Sequence, residues 1–292
     1  MTSAELRPLG LGDLLDRAVT LFVRRFGPLV AAIALTYVPL ALLQWKTLAW
    51  LDGYKPTLTP AEWKSFGLNM VAGLLLFALT RTAAAAIAYA GYAGQTMSLR
   101  AAYRLAVLRF GAQIVTQVLA LLVWLAIFIV LAIPVFVIAA IATSGGGRGT
   151  VPILIALAIA GVIGLVLGAW LFLAFELATV QIGSAAKPSY AALFKALAAT
   201  AFRRPWHSLL AALMLMLVVI GGSLMFSLLA QVPSPEFRNV VAIVIAPAST
   251  TLIEALSITF LVAYDVDLAV RHQGLDIAAA LEAAPQPRHP IG

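Results

Sequence analysis

The stretch that decides the fold is LGDLLDRAVTLFVRRFGPLVAAIALTYVPLALL, residues 11–43. In its first half, apolar residues recur every three or four positions and charged residues lie mostly opposite them. That spacing predicts an amphipathic helix, and such a helix suits the headgroup layer of a membrane as well as the surface of a soluble domain. The second half has no polar face, which favours the membrane. The apolar stripe consists of Leu11, Leu15, Ala18, Phe22 and Phe26.

The two halves join at Arg24-Arg25-Phe26-Gly27, where we expect Gly27 to break the helix and Pro28 to lie in the first turn of the next one. Arg109-Phe110-Gly111 and Phe202-Arg203-Arg204-Pro205-Trp206 precede long apolar runs in the same way. A recurring join predicts a repeated unit of surface helix, membrane span and return span. The three predicted repeats lie near residues 10–92, 95–183 and 187–270.

Composition places the chain in a membrane, because 63% of its 292 residues are hydrophobic and 11% are charged, against about 25% charged in soluble domains. Six segments reach the roughly 20 apolar residues that a span needs. They lie near 27–49, 66–92, 111–140, 151–180, 206–231 and 240–264. The predicted fold is an all-α integral membrane bundle of six transmembrane helices, with one domain over 1–284 and a disordered, proline-rich tail over 285–292.

Basic residues lie mainly on the side where the three surface helices and both termini are expected. Five lie opposite: Lys46, Lys55, Lys64, Arg148 and Arg238. Thirteen lie on the first side: Arg7, Arg17, Arg24, Arg25, Arg100, Arg104, Arg109, Lys187, Lys195, Arg203, Arg204, Arg271 and Arg288. The positive-inside rule makes that side cytoplasmic, with both termini inside.

The net charge of +7 is concentrated beside the predicted spans, so its expected partners are membrane phospholipids and not nucleic acid. The surface helices carry the residues best placed to contact lipid headgroups. The predicted contacts are Arg17, Arg24, Arg25, Arg104, Lys195, Arg203 and Arg204.

Three ionisable residues, Arg81, Glu176 and Glu254, lie within apolar segments. A charge at mid-bilayer costs at least about 2.5 to 3.5 kcal/mol, so each needs a partner or water. All three fall in the second span of their repeat, and the two glutamates lie at comparable depth. We expect an intramembrane charged cluster, in which the surplus carboxylate is protonated or faces water. The cluster either locks the helices together or marks a polar pathway.

No catalytic site, metal site or cofactor is predicted. Cysteine is absent, and the three histidines are scattered in sequence. Known hydrolase patterns are incomplete, because His207-Ser208 has no orienting acid beside it in sequence and Tyr264-Asp265 has no second acidic motif. We therefore expect Asp265 to be an ordinary residue at a helix end.

Two parts of the sequence follow the pattern of a known family: the opening Pro8-Leu9-Gly10-Leu11-Gly12-Asp13-Leu14-Leu15-Asp16-Arg17 with Arg24-Arg25-Phe26-Gly27, and the later positions Glu176, Ala192, Lys195, Leu197 and Trp206. They resemble a bacterial family, the glycerophosphoryl diester phosphodiesterase membrane domain. The closing Asp267-Leu268-Ala269-Val270-Arg271-His272-Gln273-Gly274-Leu275-Asp276 is similar too, although Ala269 and Gln273 depart from the family pattern. The resemblance implies a six-span module of the bacterial cytoplasmic (inner) membrane, without the soluble catalytic barrel.

The expected function is that of a non-enzymatic, lipid-associated scaffold or membrane subunit of a complex. A small transporter or channel that uses the intramembrane charged cluster is the alternative, and a membrane-embedded hydrolase is a third. A dry, fully paired cluster favours the scaffold, water-filled access to it favours transport, and converging Ser, His and acidic side chains favour the hydrolase.

Overall fold

A computed structural model describes residues 10–48, 59–144, 150–184, 191–203, 205–229 and 240–283, and within these ranges the chain is helical and contains no strand. The expected all-α class is therefore confirmed. The expected tail, 285–292, lies outside the described residues. The helices are α1 (Leu11–Arg24), α2 (Phe26–Leu48), α3 (Pro60–Tyr92), α4 (Leu99–Leu108), α5 (Phe110–Ser144), α6 (Thr150–Ser184), α7 (Ala192–Leu197), α8 (Pro205–Leu229) and α9 (Ala246–Ala283), with π-helical turns at Ala198–Arg203 and Val241–Ile245.

The junction between α1 and α2 bends the chain by 79°. It lies at Arg25, two residues before the expected break at Gly27, so that prediction is wrong. Gly27 instead belongs to the first turn of α2, and Pro28 lies in that turn, as expected. Proline is tolerated there because its missing N–H has no partner within the helix.

The buried face of α1 also differs from the predicted stripe. Leu14, Ala18 and Leu21 are buried, whereas Leu15 is 36% exposed and Phe26 is 46% exposed. Of the predicted stripe, Ala18 is buried, and Leu11 and Phe22 pack partly buried against the core. The hydrophobic pattern could not divide the apolar half of the helix into a face that contacts protein and a face that does not.

Four helical segments are long and apolar enough to cross a membrane: Gly67–Tyr92, Phe110–Pro134, Leu157–Ser184 and Pro205–Gly222. The bent pair Leu11–Arg24 and Phe26–Pro39 raises the number to five if it forms one broken span. The chain therefore has the helices of a membrane protein. The sixth expected span falls on α9 and the turn before it, which are not among these segments.

The core lies along α3, α6 and α9, which contact one another and are called the inner helices below. In the most apolar window of α3, 50% of the residues are buried, against 17% in the corresponding window of α5. From Glu254 to Tyr264, α9 is almost continuously buried. The inner helices thus form the interior of the bundle, and α5 has an apolar surface that no other described helix covers.

The remaining helices surround the inner helices in a cyclic order. Helix α2 packs on α3 and α9, α5 packs on α6 and α3, and α8 packs on α9 and α6. Helices α4 and α7 each pack mainly on the inner helix that precedes them in the chain, α4 on α3 and α7 on α6. Helix α1, which has no inner helix before it, packs mainly on the last one, α9. The three sets of helices, α1 to α3, α4 to α6 and α7 to α9, therefore make corresponding contacts with their neighbours.

The third surface helix is shorter than its periodicity predicted. The apolar positions Tyr190, Leu193, Phe194, Leu197 and Ala201 predict a single helix over residues 189–204. Helix α7 spans only Ala192–Leu197 and continues as a π-helical turn, Ala198–Arg203. A π-turn inserts an extra residue and so changes which side chains share a face. The predicted stripe divides here too, because Leu193 is buried while Phe194 is 54% exposed.

Candidate functional site

The structure brings Arg81, Glu176 and Glu254 together at the centre of the inner helices. The Arg81 guanidinium forms two salt bridges, from Nη1 to Glu176 Oε2 and from Nε to Glu254 Oε1. The relative exposures of the three residues are 2%, 5% and 9%. We call these residues the charged triad. It joins α3, α6 and α9 through side chains that lipid and water barely reach.

The surroundings of the charged triad add weaker interactions. Arg81 Nη1 also lies 3.4 Å from Thr179 Oγ1, and its guanidinium carbon lies 4.7 Å from the centre of the Phe77 ring, a cation–π distance. Tyr37 of α2 lies near all three members of the triad. The guanidinium is thus held in place by aromatic and hydroxyl side chains as well as by the two carboxylates.

Hydroxyl groups next to the triad are satisfied within the bundle. The Thr36 and Thr80 hydroxyls hydrogen-bond to each other across α2 and α3. Each also donates to its own helix, Thr36 to Ile33 O at 2.9 Å and Thr80 to Leu76 O at 2.7 Å. Polar groups buried in an apolar medium are costly without partners, so these bonds help to retain the hydroxyls there.

A second polar layer spans the same three inner helices and was missed by the sequence analysis. Asp265 of α9 accepts a hydrogen bond from Tyr89 Oη of α3 at 2.5 Å and another from Gln181 Nε2 of α6 at 2.7 Å. Asp265 is therefore not an ordinary helix-end residue, because α9 continues past it to Ala283. Neutral tyrosine and glutamine gave no signal, since polar residues near the end of an apolar segment are common.

The structure also gives His207 an acidic neighbour. Asp267 Oδ2 lies 3.7 Å from His207 Nε2, and the His207 ring stacks on Tyr264 with 5.8 Å between centroids. Ser208 Oγ, however, shares a 2.8 Å hydrogen bond with Tyr264 Oη. A nucleophilic serine needs its hydroxyl within reach of a base. Here the hydroxyl contacts a phenol instead, so the Ser, His and Asp side chains do not form one relay.

The predicted headgroup contacts divide into two groups. Arg24, Arg104 and Lys195 are exposed. Two others are partly buried and hydrogen-bond within the protein, Arg17 to Tyr92 Oη at 2.8 Å and Arg25 to the Gln95 carbonyl at 2.7 Å. The side chain of Arg203 and the whole of Arg204 lie outside the described part of the chain.

A buried arginine and a partly buried tyrosine anchor the second surface helix. Arg109, between α4 and α5, donates to the carbonyl of Ile182 on α6 at 2.5 Å, and Tyr103 of α4 donates to the carbonyl of Ala32 on α2 at 2.5 Å. Burial disfavours the charged form of a side chain. It therefore lowers the pKa of Arg109 and raises the pKa of Tyr103 from their ordinary values. These two bonds fix α4 against the ends of the spans.

Each short helix also has an exposed apolar side chain close to an exposed basic one. Val23, adjacent to Arg24 in α1, is 65% exposed, and Leu108, one turn after Arg104 in α4, is 73% exposed. In α7 the adjacent pair is Phe194, 54% exposed, and Lys195. Exposed apolar groups beside cations are typical of helices that lie at a membrane surface.

Within the described residues, no group of three His, Cys, Asp or Glu side chains is arranged to hold a metal ion. The polar side chains that converge at the centre of the bundle form ion pairs and hydrogen bonds with one another. Comparison of the chain with models of protein families, with curated proteins and with solved structures finds no match.

Proposed function

We propose that the protein is a non-enzymatic, lipid-associated scaffold or membrane subunit of a complex. The observation that carries this proposal is the pairing of exposed apolar and basic side chains on α1, α4 and α7. Exposing such apolar side chains to water is unfavourable. In the headgroup layer they reach the acyl chains, while the basic side chains contact lipid phosphates. The protein would thus present a lipid-binding surface on one side of the membrane.

The charged triad supports a scaffold over a solute pathway. Both carboxyl groups pair with Arg81. The exposed fraction of the side chain is only 3% for Arg81, 7% for Glu176 and 11% for Glu254. A solute site would need polar groups that are accessible and not already paired. The paired triad instead stabilises the contacts among the three inner helices.

We further infer six spans in three repeats, with α9 as the sixth. The cyclic contacts of α2, α5 and α8 with the inner helices support this arrangement. The excess of basic residues on one side supports cytoplasmic termini. Relationship to the glycerophosphoryl diester phosphodiesterase membrane domain, and with it a bacterial inner-membrane location, stays a proposal that rests on the sequence resemblance.

The lipid-binding surface is tested with the variant Arg24→Gln, Arg104→Gln, Lys195→Gln. Each basic residue near an anionic surface contributes about 1 kcal/mol, so three changes should weaken the binding of anionic phospholipid by roughly 100-fold. The control is Lys64→Gln, an exposed lysine on the opposite side. The measurement is anionic phospholipid retained by the purified protein, counted by mass spectrometry. Equal retention by all three proteins would contradict lipid association through these residues.

A transporter or channel remains the second candidate, and one observation favours it. The Tyr89, Gln181 and Asp265 layer lies on the same three helices as the charged triad and is partly exposed. Two polar layers along one axis could begin a route into the bundle. Reconstituted vesicles containing the wild-type protein or Asp265→Asn would distinguish the candidates. A proton or solute flux that depends on Asp265 would support transport and overturn the scaffold proposal.

A further inference from the structure

The number of charges in the triad does not balance. One guanidinium faces two carboxylates, and each carboxylate contacts a different nitrogen of Arg81, Glu176 at Nη1 and Glu254 at Nε. Arginine remains protonated in proteins. If both glutamates were ionised, the site would carry one uncompensated negative charge in a buried, lipid-surrounded position, where the effective penalty is several kcal/mol per ion.

The helices packed around the triad offer no second cation to compensate. Helix α2 contributes Tyr37, and its lysine, Lys46, lies nine positions beyond Tyr37, about 14 Å along the helix axis. Helix α5 contains no ionisable residue, and the only one in α8 is His207, which faces Asp267. The buried Arg109, just before α5, donates to the carbonyl of Ile182, which lies six positions after Glu176 on α6, about 9 Å along the helix axis.

The inner helices themselves add no nearby positive charge. On α3 the nearest other charged residue is Lys64, seventeen positions before Arg81, and on α9 it is Asp265, eleven positions after Glu254. Helix α6 contains no charged residue besides Glu176. Within the described part of the chain, the surplus charge must therefore be neutralised at the triad itself.

We propose that the charged triad is a proton-binding site that holds one proton, shared between Glu176 and Glu254. The proton is taken from solvent and converts one carboxylate to a carboxylic acid, so that one ion pair and one neutral acid remain. Because both side chains contact the same guanidinium, either one can carry the proton while the other pairs with Arg81. This inference goes beyond the proposed scaffold function and does not depend on it.

The number of protons that the triad binds should differ between variants, because it depends on the balance of positive and negative charges. Glu176→Gln leaves one cation and one carboxylate, which are neutral together and need no proton. Glu254→Gln has the same effect, although the altered side chain is on another helix. Arg81→Gln removes the cation, so both carboxylates should then bind protons. The number of bound protons should thus be one in the wild type, none in either glutamine variant and two in Arg81→Gln.

Infrared spectroscopy of the purified protein in lipid nanodiscs at neutral pH counts these protons directly. A protonated carboxylic acid has a carbonyl band that is separate from carboxylate bands and shifts when H₂O is replaced by D₂O. Relative to the wild type, each single glutamine variant should lose one such band completely, and Arg81→Gln should gain one. Asp16→Asn, which changes an exposed acidic residue of α1, is the matched control and should leave the bands unchanged.

Three results would overturn the proposal. Equal bands in the wild type and both glutamine variants would mean that the triad holds no proton. A band that survives in one glutamine variant would mean that a single glutamate is protonated by its own burial, without sharing. A wild type lacking the band but melting at higher temperature in sodium would mean that a metal cation balances the charge. If Arg81→Gln does not fold, the two glutamine variants still decide the outcome.

Discussion

Replacing Arg81 by Met should destabilise the protein far more than replacing either glutamate by Gln. Arg81→Met leaves two carboxyl groups, in residues that are 5% and 9% exposed, with no cation to pair with. Removing one partner of a buried ion pair costs roughly 3 to 5 kcal/mol. The loss is a large part of the 5 to 15 kcal/mol that typically separates folded from unfolded protein.

Replacing one glutamate by glutamine should lower the unfolding free energy less than replacing Arg81 does. In Glu176→Gln or Glu254→Gln, the remaining carboxylate still pairs with Arg81 through its own nitrogen. The expected cost is that of weakening one hydrogen bond, about 0.5 to 1.5 kcal/mol. Replacing all three residues by apolar side chains should be nearly neutral, because a buried ion pair is often replaceable as a unit.

The assay is unfolding of the purified protein in detergent micelles titrated with sodium dodecyl sulfate, followed by circular dichroism. Arg104→Met provides a matched control, since Arg104 is exposed on α4 and a surface change should alter the unfolding free energy by less than about 0.5 kcal/mol. Equal losses in Arg81→Met and in the two glutamine variants would refute the reasoning, as would a triple apolar variant no more stable than Arg81→Met.

Reporter fusions at residues 55, 148 and 236 should all report the outside, and an inside signal at any of them would exclude the six-span topology. Gly183→Ala should lower the unfolding free energy by about 1 to 3 kcal/mol, because the added methyl would lie 2.7 Å from the Ala85 side chain and 3.2 Å from the carbonyl of Thr82. Gly161→Ala, with nothing within 4 Å, should be neutral or slightly stabilising in the same titration, and equal effects would count against close packing of α3 and α6.

Much of the candidate site was predictable because charges are conspicuous in apolar sequence. Arg81, Glu176 and Glu254 could be placed within apolar segments by position alone, and their mutual need for partners follows from the cost of burying charge. The layer formed by Asp265 with Tyr89 and Gln181 was not predictable. Its two donors are neutral, and only the alignment of three distant helices brings them to one carboxylate.

The pairing of His207 and Ser208 with their neighbours was also decided by packing. Sequence reasoning found no acid beside His207, because Asp267 is 60 positions away in the chain. Contact between α8 and α9 brings Asp267 to His207 and Tyr264 to Ser208. Such long-range contacts depend on the order of helices around the bundle, which local periodicity does not encode.

The sequence by itself determined the apolar runs, the short amphipathic segments before them and the presence of three ionisable residues within the apolar runs. Only the tertiary structure decided which part of each apolar face contacts protein, as in α1, where Leu14 is buried and Leu15 is not. The physical reason is that lipid tails are as apolar as leucine. In a membrane, hydrophobicity separates polar from apolar surface, but it cannot separate a lipid-facing side chain from one packed against another helix.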